Sequence, residues 1–204
     1  MVKLKKTKEE IVNKARELGV EYERNYQGCA QCSFGAVVDA LRWGGLELIP
    51  EDMEEQLLAG LTVLSGGVGM TGNGTCGAVT GGGLAIGLAM GITLKKQLEN
   101  RRLRRKGYTA VQQGVVDKFV DRYNSILCKD VQRKTFGKAW DLSRPEMSEE
   151  FVRTSGVFDI SQRTPDRAVC LTPDCTIALG AMWATQYILE ELEKGTLMGQ
   201  FRIL

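Results

Sequence analysis

The stretch Gln56-Leu-Leu-Ala-Gly-Leu-Thr-Val-Leu-Ser-Gly-Gly-Val-Gly-Met-Thr-Gly-Asn-Gly-Thr-Cys-Gly-Ala-Val-Thr-Gly-Gly-Gly-Leu-Ala-Ile-Gly-Leu-Ala-Met-Gly-Ile-Thr-Leu94 contains no charged residue, and half of the chain's 24 glycines fall inside it. Nothing in such a run keeps it in water, so it belongs inside. Glycine allows positive φ and close approach of a second group. The stretch therefore reads as a buried loop that presents one cysteine, Cys76, followed by a helix of small residues from about Val79 to Leu98.

Moving outward, the flanks carry helical periods. Thr7 caps a helix to Leu18, with Glu10 three residues on as capping-box partner and Gly19 as its stop. Cys29, Cys32, Ala36, Val37, Ala40 and Leu41 repeat at three and four, so a second helix runs from Gly28 to Trp43-Gly44. Pro50 opens a third, whose Glu51, Asp52, Glu54 and Glu55 suit a positive helix end. Lys95 to Lys106 is a basic run that fits a helix C-terminus. Tyr108 to Leu127 is an amphipathic helix with Val111, Val115, Val116, Phe119, Val120, Tyr123 and Leu127 on its apolar side, and Cys128 ends that face. Residues 138–168 are the least regular, an insertion or lid with a short helix near 148–152. Thr172-Pro173-Asp174 reads as a cap with proline at the first helical position, leading into a helix with Cys175 in its first turn. Phe201 to Leu204 is an apolar tail that packs on the core or on a partner subunit. No alternating strand pattern stands out. The fold class is mostly α: a single-domain helical bundle, residues 1–204, with a buried glycine-rich loop.

Composition narrows the chemistry. The 27 basic and 25 acidic residues nearly cancel, so charge selects no partner class. The absence of histidine excludes His-based acid–base catalysis, His-ligated zinc or copper, and the C-x-x-C-H attachment of c-type haem. Met1 to Arg16 lacks an apolar signal-peptide core, and the most apolar window, Ala78 to Ile92, is too short to span a bilayer. The expected location is cytoplasmic, with no membrane and no nucleic acid as partner. Six cysteines in a reducing compartment point to metal or redox chemistry more than to structural disulfides.

Cys29 and Cys175 sit at expected helix starts, where free N–H groups and the helix dipole favour the thiolate. Cys76 sits among glycines whose N–H groups can donate to sulfur, and Cys128 points inward. Four thiolates from four elements make a ligand set suited to an iron–sulfur cluster or to structural zinc. Taken singly, each cysteine reads equally as a small buried hydrophobe, and Cys32 and Cys170 are left there. Cys29-Ala30-Gln31-Cys32 also has the C-x-x-C spacing of thiol–disulfide exchange, but no strand precedes it. Gly67-Val68-Gly69-Met70-Thr71-Gly72 fits G-x-G-x-x-G, yet more glycine follows in place of a helix, so it does not read as a nucleotide loop.

With these segments in view, the chain resembles the C_GCAxxG_C_C family of redox-active proteins. Gly28-Cys29-Ala30-Gln31, Cys76-Gly77-Ala78-Val79-Thr80-Gly81, the segment from Cys128 to Gly137, and Asp174-Cys175 through Gly180-Ala181 to Trp183-Ala184 carry the likeness, from about Tyr26 to Leu192. The family label places Gly before its second cysteine; here Thr75 precedes Cys76 and Gly77 follows it. A related domain occurs in cytochromes of the split-Soret type, but this chain lacks their haem motif. The resemblance implies a helical redox domain that forms a homodimer, with Cys29, Cys76, Cys128 and Cys175 as ligands of a [2Fe-2S] or [4Fe-4S] cluster, no haem, and a redox partner protein. The alternatives are thiol–disulfide exchange by Cys29 with Cys32 or Cys76, and a non-redox module with structural zinc or an interaction role.

Overall fold

The computed structural model describes residues 3–155, 172 and 174–204. It is mostly helical. Ten α-helices and one π-helical turn are described: α1 Lys8–Asn25, α2 Cys29–Trp43, α3 Glu51–Thr62, α4 Gly77–Met90, α5 Leu94–Glu99, α6 Arg102–Val111, the π turn Gln112–Val116, α7 Asp117–Tyr123, α8 Cys128–Phe136, α9 Pro145–Ser155 and α10 Thr176–Glu193. The strands β1 (Leu46–Glu47) and β2 (Arg202–Ile203) pair antiparallel, Leu46 opposite Ile203, and dock the C-terminal tail. That tail closes on its own chain, with Phe201 packed on the core and the Leu204 N–H donating to the Gly45 carbonyl at 2.9 Å.

The centre is a close packing of α2, α4 and α10, with α1 laid across α2 and α10. Small residues set the distances. A Cβ on Gly81 would overlap the Ala30 carbonyl and the Ser33 hydroxyl, and one on Gly180 would come 2.9 Å from the Ala78 oxygen. Helix backbones approach this closely only where a side chain is missing. Phe34, Phe119, Ile86, Met90 and Ile188 fill the remaining space.

The Thr7–Glu10 capping box forms as expected, with Glu10 N–H donating to the Thr7 hydroxyl at 3.2 Å and the Glu10 carboxylate accepting from the Thr7 N–H at 2.8 Å. Gly19 does not stop α1, however; the helix runs on to Asn25. Gly19 is a packing residue, because a Cβ there would lie 2.7 Å from the Ala178 Cα. The helix expected over 79–98 ends instead at Gly91, whose φ of 58° is the left-handed cap that glycine supplies, and α5 restarts from a Thr93 cap. The basic run therefore spreads over α5 and the start of α6. Lys96 does serve helix C-termini, standing in the last turn of α5 and bonding the Gly91 carbonyl that ends α4, while the arginines stand at the start of α6. The helix expected over 108–127 is interrupted by the π turn and closed at Asn124 in the left-handed conformation. The extra residue of the π turn shifts the apolar face, leaving Val120 43% exposed, and Leu127 lies beyond the helix as the N-cap of the next one, 37% exposed. Cys128 does not end that helix; it begins α8. Likewise α10 starts at Thr176 with Cys175 as its N-cap, later than the start expected at Pro173, which itself lies outside the described residues.

Of the segment expected as an insertion or lid, residues 138–155 are described, and α9 is longer than the short helix expected at 148–152. Phe136, Trp140 and Phe151 pack edge to face there, with ring centroids 5.3–5.9 Å apart. Residues 156–168 and Cys170 lie outside the described residues.

Candidate cysteine site

Cys29, Cys76, Cys128 and Cys175 line one cavity of about 480 Å3. Each stands at the start of a different helix: Cys29 is the first residue of α2, Cys76 the N-cap of α4, Cys128 the first residue of α8, and Cys175 the N-cap of α10. Four helix N-termini thus converge on one space. Their free N–H groups and dipoles favour negative charge at that point.

The glycine loop builds the arrangement. Gly28 turns the chain from α1 into α2 with φ 107°, a conformation side chains rarely adopt. The Gly66 N–H then donates to the Cys29 Sγ at 3.5 Å, and Gly77 lies in contact with that sulfur. The Cys76 N–H donates to the Ile126 carbonyl at 2.8 Å, and the Cys128 N–H donates to the Gly74 carbonyl at 2.9 Å. With the Thr75–Leu127 antiparallel bridge, these bonds tie Cys76 and Cys128 side by side. A Cβ on Gly67 would come 2.8 Å from the Cys128 Cβ. The inner edge of the loop, Ser65 to Gly67 with Gly72, is buried, while its tip at Val68 and Gly69 is exposed. Val68 and Met70 both hold φ 65°, a strained backbone for non-glycine residues, and Met70 reaches the cavity wall.

Donors reach the sulfurs individually. The Gln132 Nε2 donates to the Cys128 Sγ at 3.4 Å, and the Gln132 Oε1 accepts from the Trp140 N–H at 2.8 Å, which fixes the amide orientation. The Ala178 N–H donates to the Cys175 Sγ at 3.4 Å. Val131, Phe136, Leu142, Phe151 and Ile177 give the wall apolar patches, and Arg122, Lys134, Thr135, Asp174 and Thr176 give it polar ones.

The expectation that helix starts would lower the thiol pKa values is not met. Burial pushes Cys175 up to about 11 and Cys128 up to about 12, and it raises Cys29 and Cys76 as well. The N–H donors pull in the opposite direction, but desolvation of the charged form outweighs them. The thiols also oppose one another: charge on Cys29 raises both Cys76 and Cys128. A positive centre among them would reverse that balance.

Cys32 does not line this cavity. It packs directly behind the cavity wall with Cys175, Ile177 and Ala178, and with Cys29 against that cluster; it is buried, and its pKa is raised by burial and by Glu23. The described cysteines carry no disulfide, including the Cys29–Cys32 pair. Among the described residues, no group of three or more His, Cys, Asp or Glu is gathered so as to hold a metal ion. The four sulfurs line the walls of a larger space.

Glu23 was not expected here. It lies on the part of α1 beyond Gly19, is 5% exposed, and lines the same cavity. Its Oε2 has no hydrogen-bond partner among the described residues. Burial raises its pKa to about 7, although the nearby Cys32 thiol and Gly28 N–H draw it down. The signal was present in the spacing of Ala15, Gly19 and Glu23, which continues one helix face at four-residue steps.

No curated protein and no solved structure matches the chain. The model of a family described as "Putative redox-active protein (C_GCAxxG_C_C)" matches residues 27–155, more than half of the chain. The match holds Cys29, Cys76 and Cys128 and stops before Cys175, so it is shorter than the likeness read from the residues; the fold brings Cys175 to the same cavity. On that match the chain belongs to the C_GCAxxG_C_C family, whose description suggests a redox role.

Proposed function

We propose that the protein is an iron–sulfur redox protein, with Cys29, Cys76, Cys128 and Cys175 holding the cluster and a partner oxidoreductase exchanging electrons with it. The observation that carries this reading is that four cysteines, each at a different helix N-terminus, line one cavity. The donor set fits the group. Four thiolates are the ligand set of both common cluster types, and the four cysteines share one cavity of about 480 Å3. When bound, the cluster would supply one-electron chemistry.

The chain's own residues would do the rest. The N–H groups of Gly66 and Ala178 and the Gln132 amide already donate to three of the sulfurs. Such bonds favour the more reduced, more negative state and raise the potential. Val131, Phe136, Leu142 and Phe151 would give the cluster an apolar flank. Thiol–disulfide exchange is less well supported, because no described thiol is drawn below its ordinary pKa, Cys32 included, although Cys32 packs beside Cys29 and Cys175.

Single Cys→Ser variants test the ligand set. Each of C29S, C76S, C128S and C175S, purified without air, should lose most of its iron and sulfide, while C32S keeps both. Full iron and sulfide in any of the first four removes that residue from the site.

A further inference from the structure

Helix α5 has no buried residue. It nevertheless carries Leu94 and Leu98, which are 81% and 83% exposed, more than any other large hydrophobic side chain among the described residues. Four residues apart on a helix, they share one face. Apolar packing by Ile92, Ala110 and Val111 holds the flanks of this edge, and polar bonds hold α5 itself to the body. The Lys96 Nζ donates to the Gly91 and Met198 carbonyls at 2.8 and 2.7 Å, and the Lys106 Nζ donates to the Thr196 carbonyl at 3.3 Å.

Around the two leucines stand Lys95, Arg101, Arg102, Arg104 and Arg105, all exposed. Among the described residues none of the five joins an ion pair. Glu99 is the lone acid between Leu94 and Lys106. Helix stability does not explain these charges. Arg102, Arg104 and Arg105 occupy the first turn of α6, where the dipole disfavours cations and where no acid stands. Tyr108 continues the surface, 62% exposed, with the Arg104 guanidinium 5.5 Å from its ring centre and bonded to its hydroxyl at 2.7 Å.

We infer that the α5–α6 edge is a peripheral anchor for an anionic lipid surface. A bilayer of anionic lipid takes both features at once: leucines and a tyrosine enter the headgroup boundary, and guanidinium groups meet phosphates. Nucleic acid would use the cations and leave the leucines in water. A second copy would set like charge against like charge. This is adsorption, not spanning, since no described helix is long and apolar enough to cross a membrane; it replaces the expectation of no membrane partner. The geometry keeps the cysteines clear. They lie at the N-terminus of α4, whereas α5 follows its C-terminus, 14 residues away, a rise of about 21 Å.

The test is flotation of the full chain with phosphatidylcholine vesicles, with and without phosphatidylglycerol, over a salt series. Binding should appear only with the anionic lipid and weaken as salt rises. Arg101→Glu with Arg105→Glu should reduce it by at least about tenfold, and Leu94→Ser with Leu98→Ser should reduce it by about tenfold. All four positions are exposed, and circular dichroism with Tm would verify that the variants fold. No binding to the anionic vesicles, equal binding to the neutral ones, or a leucine variant that binds as the parent does would overturn the anchor.

Discussion

Gly77 lies so close to Cys29 that a Cβ on residue 77 would overlap the Cys29 Sγ and come 2.7 Å from the Ala30 nitrogen. The residue after the second cysteine thus makes room for the first, and α4 and α2 can bring their N-termini together. Gly77→Ala must push the thiol or the Ala30 backbone aside. It should destabilise the fold by about 1–3 kcal/mol, read from the urea midpoint, and disturb the cysteine set at the same time. Gly87→Ala serves as the control on the same helix, because its Cβ would meet nothing within 4 Å. That variant should gain about 0.5–1 kcal/mol by lowering the entropy of the unfolded chain. A Gly77→Ala protein as stable as the parent would contradict the close packing.

Glu23 gives a pH dependence whose direction follows from its burial. Its folded pKa is raised to about 7 from an ordinary 4.5. Between those values the folded protein keeps the proton that the unfolded chain releases. Its contribution to stability is therefore full below about 4.5, falls as pH rises through the window to about 7, and is lost above it. The loss is of the order of a few kcal/mol. In metal-free protein, Glu23→Gln should flatten that slope and be the more stable chain above the window. Urea titrations at several pH values report both, and identical slopes in the two proteins would contradict it.

The buried thiols give a reactivity prediction. With Cys175 held near 11 and Cys128 near 12, against an ordinary 9.0, the thiolate fraction near neutral pH falls at least about a hundredfold. Alkylation of metal-free protein by iodoacetamide, followed site by site with peptide mapping, should be slow at Cys29, Cys32, Cys76, Cys128 and Cys175. Rapid labelling of Cys29 near neutral pH would favour thiol exchange instead.

Much of this was legible in the sequence, and the failures have physical causes. The Thr7–Glu10 box, the Pro50 start of α3 and the Gly28–Cys29 start of α2 rest on local bonds or local φ, which sequence patterns record directly. Cys29, Cys76, Cys128 and Cys175 were grouped from two helix starts, the glycine loop and the end of an apolar face, and the four line one cavity. Gly19 misled because a glycine that ends a helix and one that packs against Ala178 look alike until the neighbour is known. That error truncated α1 and hid Glu23. The π turn at Gln112–Val116 changes the helical period by one residue, so a uniform period misplaced Val120, and the left-handed cap at Asn124 put Leu127 outside the helix altogether. Gly91 fell inside the helix expected over 79–98, yet its positive φ ends α4 and leaves the separate, exposed α5.

The most direct measurement of the central claim is anaerobic purification of the full chain, with visible absorption, iron, zinc and acid-labile sulfide determined on the same sample. The account predicts a brown protein with matched iron and sulfide, whose colour bleaches on addition of a reductant. A colourless protein free of iron, never exposed to air and refractory to reconstitution with iron and sulfide, would contradict it.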